Sequence, residues 1–381
     1  MIPYGRQSID QQDIDAVVSV LKSDWLTQGP LVPKFESAIA DTCQANYAVA
    51  TNSATSALHL AYLALGLSQG DLLWTTPITY VATSNAALYC HAHVEFVDIE
   101  PETGLMCPNT LEKKLAVANQ QGRLPKIITV VHLAGQSCDM ERIHKICQPY
   151  QIAIVEDASH AIGASYQDKP VGACTYSDIC VFSFHPVKIM TTAEGGMALT
   201  NQKELADFMS YLRSHGVTRD PELFTEESHG DWYYQQLALG YNYRMTDIQA
   251  ALGISQSQKL REFIARRNVL AERYQSAFEN TPVIPLAQQQ GTNAYHLYIV
   301  RLPNHAKQRK VIFSVLREAG IGVNIHYIPV HLQPYYQHLG FRKGTLPNAE
   351  RFYQEIMSLP LFPALDEADQ DYIIEQLVRL L

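Results

Sequence analysis

Between residues 46 and 200 the chain alternates short, β-branched apolar runs with stretches of helical periodicity. The runs are Tyr47 to Thr51, Asp71 to Thr76, Val94 to Asp98, Lys126 to His132, Ile152 to Asp157, Ile179 to Phe184 and Gly196 to Thr200. This alternation predicts an α/β fold with a mostly parallel sheet and helices on both of its faces. Ligands of such sheets collect at the carboxyl ends of the strands, where Asn52 to Thr55, Asp157 and Phe184 to Lys188 all fall. From Thr246 a helical pattern begins, and Asp247 through Glu279 reads as one long helix or as two broken near Arg266. After it come a strand-like Tyr295 to Val300, a helix from Lys307 to Ala319, a strand near Val323 to Tyr327, and helices over Ala349 to Met357 and Asp366 to Leu381. These elements suggest a small C-terminal α/β domain, dividing the chain into residues 1–250 and 251–381.

At 381 residues and 47% hydrophobic content the chain can build a large core. Its net charge of -9 is spread without a basic block, which argues against nucleic acid or an acidic membrane surface as partner. The seven cysteines are odd in number, scattered and free of any Cys-x-x-Cys pair, so neither a disulfide framework nor a zinc ribbon is expected. Met1 to Arg6 lacks the apolar segment of a signal peptide, and no run of about 18 apolar residues occurs. A cytoplasmic protein acting on small molecules is the expectation.

Lys188 stands between two apolar strand-like runs, five residues after Ser183. Burying an ammonium there is costly without a partner, and condensation of the amine with an aldehyde cofactor would supply a reason for it. Asp157 ends the apolar run Ile152 to Val155; it reads either as a helix N-cap for Ala158 to Ala161 or as the counter-ion of a protonated pyridine nitrogen. Asn52 to Leu60 follows a strand and opens an amphipathic helix. The free amides of Ala54 and Thr55 then suit a phosphate, with ordinary capping as the plainer alternative and the Ser183 hydroxyl as a further contact. Tyr80, just after the second strand-like run, either packs in the core or stacks on a flat ring. Gly240 to Thr246 sets Asn242 beside Arg244, either a capped turn or part of an anion site. His326 and His331 invite a metal reading, which their spacing, Pro329 and the absence of a neighbouring Cys or carboxylate cluster speak against.

Together these motifs resemble the DegT/DnrJ/EryC1/StrS family of sugar-nucleotide aminotransferases, over nearly the whole chain. The resemblance rests on Leu26 to Pro30, Asn52 to Leu60, Pro77 to Thr83, His132 to Gln136, Glu156 to Gly163, Ser183 to Gly196, Arg213 to Gly216, Asn242 to Arg244 and His326 to Pro329. It implies the fold-type-I, aspartate-aminotransferase-like architecture of pyridoxal-phosphate enzymes. It also implies that Lys188 binds the cofactor covalently and then shuttles the proton, while Asp157 holds the pyridine nitrogen. His160 would lie near the ring oxygen, Tyr80 on the ring, and Ala54, Thr55 and Ser183 on the phosphate. Asn242, and with it Arg244, would reach a partner's phosphate in a homodimer with shared active sites. Tyr4, the segment Asp24, Trp25, Leu26 and Thr27, and His326 with Tyr327 would contact the nucleotide sugar.

The reaction so implied moves an amino group from L-glutamate to a keto sugar. Asn52 to Ala57, His185 and Thr191 to Gly196 are most similar to the subgroup serving pseudaminic acid synthesis, which implies C4 of a UDP-linked 4-keto-6-deoxy-N-acetyl sugar. Other UDP- or dTDP-keto sugars remain open by the same resemblance. A dehydratase on this fold carries histidine in place of the lysine, and a non-catalytic relative would lose Lys188 or Asp157 first. Both residues are present.

Overall fold

The computed structural model describes residues 1–381. In chain order its strands are β1 (Tyr47–Thr51), β2 (Leu72–Thr75), β3 (His93–Phe96), β4 (Ile127–Val131), β5 (Ala153–Asp157), the ribbon β6 (Ser165–Tyr166) and β7 (Lys169–Pro170), β8 (Ile179–Ser183), β9 (Gly196–Thr200), the ribbon β10 (Val217–Thr218) and β11 (Gln235–Gln236), then β12 (Ile284–Pro285), β13 (Tyr298–Arg301) and β14 (Ile356–Leu359). The main helices around the large sheet are α1 (Gln11–Leu21), α2 (Leu31–Cys43), α3 (Ala54–Ala64), α4 (Ala82–Tyr89), α5 (Pro108–Gln120), α6 (Met140–Cys147), α7 (Lys203–Arg213) and α8 (Asp247–Gln258). After α8 follow α9 (Leu260–Phe278), α10 (Arg309–Glu318), α11 (Pro334–His338), α12 (Pro347–Glu355) and α13 (Glu367–Arg379).

Seven strands form one sheet in the order β1-β9-β8-β5-β4-β2-β3, with β9 antiparallel to both neighbours and the other pairings parallel. Successive residues point to opposite faces, so each strand feeds two cores. Trp74, Ile128, Val130 and Ile154 pack on the α5 and α6 side, while Leu73, Ile127, Val155 and Val181 pack on the α3 and α4 side. The C-terminal body has its own three-stranded antiparallel sheet, β12-β13-β14, covered by α9, α10 and α13. The first residues join this body: Ile2 bridges Ile321, and Tyr4 O accepts from the Leu361 amide at 3.1 Å.

Three local expectations are corrected. The helical stretch after Thr246 breaks at Lys259, not near Arg266. The break turns Leu260, Phe263 and Ile264 into the core beside Phe182 and Phe184, whereas Arg266 lies inside α9 with its guanidinium on Leu365 O. Val323 to Tyr327 is no strand beyond a single bridge from Asn324 to Ser358. Asn324 Oδ1 accepts from the next amide, Ile325 N, at 2.8 Å and so competes with the ladder. Helix α12 stops at Glu355, whose carboxylate is tied to Arg301 and Arg351, and Ile356 to Leu359 pair with β13 instead.

The N-terminal arm is anchored by a buried acid. Asp13, with no exposed surface, accepts from Ser255 Oγ at 2.6 Å, Gln256 Nε2 at 2.8 Å and Lys259 Nζ at 2.6 Å, locking α1 onto α8. Replacing Asp13 by Ala leaves the half-buried Lys259 ammonium, the Ser255 hydroxyl and the Gln256 amide short of their acceptor. Asp13→Ala should therefore lower unfolding free energy by about 3 kcal/mol in urea titrations, and a loss below about 0.5 kcal/mol would contradict this anchoring.

Candidate active site

The carboxyl edge of the large sheet gathers most of the residues singled out above. Strand β5 delivers Asp157 at its last position, 5% exposed. Thr83, in the first turn of α4, donates its hydroxyl to Oδ2 at 2.7 Å, and Ser159 donates its amide and hydroxyl to Oδ1 at 3.2 and 2.6 Å. Thr79 Oγ lies 2.8 Å from Thr83 Oγ and completes the chain of hydroxyls. Every one of these donors is neutral. A carboxylate so held has its geometry fixed before any cation arrives.

Lys188 lies in the loop between β8 and β9, turned back by its amide bond to His185 O at 2.9 Å. No hydrogen bond or ion pair of the chain reaches its Nζ. Burial pulls its pKa down to about 8, against the opposing pull of the Asp157 charge. Three buried histidines face this lysine. Burial first, and then the Lys188 charge, hold His326 at about 3 and keep His160 and His296 well below the ordinary imidazole value. All three are therefore neutral at pH 7. The His160 and His296 rings lie 4.4 Å apart, and His296 Nδ1 has no partner. Tyr327 Oη is 3.0 Å from His160 Nε2, Tyr4 packs 5.4 Å from His326, and Tyr80, 63% exposed, lies 6.3 Å from Tyr327.

A second cluster forms where α3 begins. Ser53 caps the helix by accepting from Ser56 N at 3.2 Å, and the Ala54 and Thr55 amides donate to nothing in the chain. Gly196 opens β9 directly opposite Ser183. A Cβ on Gly196 would stand 2.4 Å from Ala54 N, so only glycine lets β9 pass the end of α3. Free amides, the positive end of a helix and the nearby Ser183 hydroxyl together make a cradle for an anion. Asn52 links this cradle to the following loop, donating its amide to Tyr243 O at 2.8 Å and Nδ2 to Asn242 O at 3.3 Å.

The structure does not bring every sequence candidate to Lys188. Asn242 is exposed, and neither its side chain nor the Arg244 guanidinium bonds within the chain. Asp24, Trp25, Leu26 and Thr27 are also exposed, on a loop stapled to α8 by buried Asp247, which accepts from Gly29 N at 2.7 Å and Leu31 N at 2.9 Å. His331 turns away and pairs with Glu350 at 3.0 Å. No group of three or more His, Cys, Asp or Glu in the chain could hold a metal ion. Sequence reasoning overlooked Thr83, Gly196 as a steric requirement, and His296. A polar residue inside the apolar run Tyr295 to Val300 was the available signal for His296.

An unpartnered lysine, an acid held by neutral donors and an anion cradle, at the carboxyl edge of a seven-stranded sheet with a small α/β body beside it, define the fold-type-I aminotransferase architecture. Residues 7–378 match the DegT/DnrJ/EryC1/StrS aminotransferase family, and the chain belongs to it. It is 38% identical, over 100% of its length and 98% of the relative's, to the UDP-4-amino-4,6-dideoxy-N-acetyl-beta-L-altrosamine transaminase of Campylobacter jejuni. Among solved structures it superposes with a TM-score of 0.91 on Helicobacter pylori PseC, an aminotransferase of pseudoaminic acid biosynthesis, at 32% identity over 99% of this chain and 98% of that one. The PLP form of the sugar aminotransferase Spr1654 of Streptococcus pneumoniae matches with a TM-score of 0.90 at 31% identity, over 100% of this chain and 98% of that one.

Gly196→Ala tests the cradle. The added methyl must displace the first turn of α3, so the affinity of the cofactor-free protein for pyridoxal phosphate should fall at least about tenfold by fluorescence titration. An affinity within about twofold of wild type would show that the cradle is not the anion site.

Proposed function

We propose that this aminotransferase uses pyridoxal phosphate to move the amino group of L-glutamate to C4 of a UDP-linked 4-keto-6-deoxy-N-acetyl sugar, UDP-2-acetamido-2,6-dideoxy-β-L-arabino-hex-4-ulose. The observation that carries the cofactor reading is the placement of Lys188 and Asp157, a half-buried amine with no hydrogen bond or ion pair and a buried carboxylate bonded only by neutral donors. The residues fit the group: Ala54, Thr55 and Ser183 would hold its phosphate, the Asp157 carboxylate its ring nitrogen, and Tyr80 its face. When bound, the cofactor supplies an electron sink that stabilises negative charge on the carbon losing a proton.

The rest is the work of the chain. Lys188 with a pKa of about 8 is close to neutrality, so it can take a proton from one carbon and return it to another near pH 7. Thr83 and Ser159 keep the Asp157 oxygens aimed while that charge moves. Neutral His160, His296 and His326 add no positive charge to compete with the ring nitrogen for Asp157. Donor and acceptor use one site in turn: L-glutamate leaves as 2-oxoglutarate before the keto sugar receives the nitrogen, a ping-pong scheme.

The exposed Asn242 and the half-buried Arg244, whose side chains bond to nothing within the chain, support a homodimer in which each chain completes its partner's phosphate site. The same holds for the Asp24 to Thr27 loop, which with Tyr4 and His326 forms the nucleotide-sugar side. No helix is long and apolar enough to cross a membrane, and all seven cysteines are unpaired, as a reducing compartment keeps them. That thiol state supports a cytoplasmic location. The likeness to the Campylobacter jejuni transaminase supports the choice of sugar.

Incubation with glutamate and a panel of UDP- and dTDP-linked 4-keto sugars, read by NMR, decides the substrate. The expected result is a new amine at C4 of the UDP-linked arabino-hex-4-ulose with one equivalent of 2-oxoglutarate. Amination of a dTDP sugar alone, or at C3, would overturn the assignment.

A further inference from the structure

Beyond the cradle amides of Ala54 and Thr55, the next turn of α3 carries His59, 3% exposed among tyrosines. Its ring lies 4.8 Å from that of Tyr241, 5.6 Å from Tyr89 and 5.9 Å from Tyr243. Nδ1 is 3.1 Å from Tyr243 Oη, and buried Nε2 has no partner. Burial pulls the imidazole pKa down to about 4, so the ring is neutral at pH 7. A leucine or phenylalanine would fill this space without stranding a nitrogen, at less cost. What only a polar ring provides is one directed bond, and that bond ends on the turn that carries Asn242. The turn runs extended beside the end of α7: Asn242 bridges Ser214, Tyr241 N donates to Leu212 O at 2.7 Å, and Tyr243 N donates to Arg213 O at 3.0 Å. Extended backbone sends alternate side chains to opposite sides. Tyr241 and Tyr243 therefore share one side, stacked at 4.8 Å and 12° beside His59, and Asn242 between them points outward, exposed.

We propose that His59 and Tyr243 are positioning residues of the shared site: their bond holds the turn from which Asn242 meets the cofactor phosphate of the partner chain. This rests on the homodimer reading above. The cradle of the same chain is held by other means, the Ser53 cap and the passage of β9 at Gly196. Asn52 fastens only the main chain of the turn, through Tyr243 O and Asn242 O, and leaves the direction of its side chains to the tyrosines. One helix thus serves two sites, its own through the amides of its first turn and the partner's through His59. Loss of the bond is accordingly felt on the partner's cofactor, not on that of the chain carrying the change.

Mixed dimers separate the two sites. Two differently tagged chains are co-expressed, one with Lys188 intact and the other with Lys188→Ala. Borohydride can then fix pyridoxal phosphate only on the first chain, and the label is measured against cofactor concentration. Tyr243→Phe placed on the Lys188→Ala chain should raise the concentration for half-labelling by about threefold to tenfold, the loss of one hydrogen bond. Placed on the chain with Lys188 intact, the same change should move it less than about twofold. His59→Leu should behave as Tyr243→Phe does, and His59→Asn, which keeps a polar atom at the Nδ1 position, should restore wild-type labelling. An effect confined to the chain carrying the change, an equal effect in both placements, or none in either overturns the proposal. Failure of the homodimer reading looks different: Asn242→Ala would leave labelling unchanged in both placements, or the wild-type protein would sediment as a monomer. A wild-type dimer that takes no label at Lys188 would refute the cofactor reading instead.

Discussion

Asp157 is buried at the end of β5 and receives three hydrogen bonds, all from neutral groups. The chain thus fixes an anion in place and provides no bonded cation for it, while the amine of Lys188 nearby is left with no bond at all. Desolvating both groups is tolerable in a stable fold only if something lowers the cost, and one molecule carrying a cationic ring and an aldehyde does this for both at once. The remainder of the carboxyl edge follows from that requirement. The hydroxyls of Thr79, Thr83 and Ser159 are spent on orienting the acid, and burial keeps three histidines uncharged so that the lysine and the acid dominate the local field.

The sheet was legible because strands buried on both faces have an unmistakable apolar signature, and the residues that end them inherit a position at the ligand edge. Lys188, Asp157 and the α3 amides could be placed by that logic alone. What remained hidden depended on contacts between distant segments. Thr83 reads as an ordinary helix residue until β5 sets Asp157 beside it, and Gly196 as an ordinary strand residue until β9 crosses the end of α3. The break at Lys259 escaped because α8 and α9 are both helical and only packing separates them. The strand expected at Val323 to Tyr327 failed for a related reason. A β-like sequence was diverted by the Asn324 side chain, and the diversion is what turns His326 and Tyr327 into the site.

The Asp24 to Thr27 loop is exposed, and in the Asn242 to Arg244 turn the Asn242 and Arg244 side chains bond to nothing within the chain. Both are rigidly attached, the first through Asp247 on α8 and the second through Asn52 at the anion cradle. Surface loops fastened this firmly to buried elements are preorganised for contact, and a second copy of the chain would receive them without further ordering cost. The bond from Asn52 also means that the anion cradle and the Asn242 turn move as one piece.

The central claim is that Lys188 is the residue to which pyridoxal phosphate becomes joined. Borohydride reduction of the loaded protein followed by peptide mass mapping tests it most directly. The account predicts one pyridoxyl-phosphate label per chain, on the peptide containing Lys188. A label on any other lysine, or none on a protein that remains folded and exposed to excess cofactor, would contradict it.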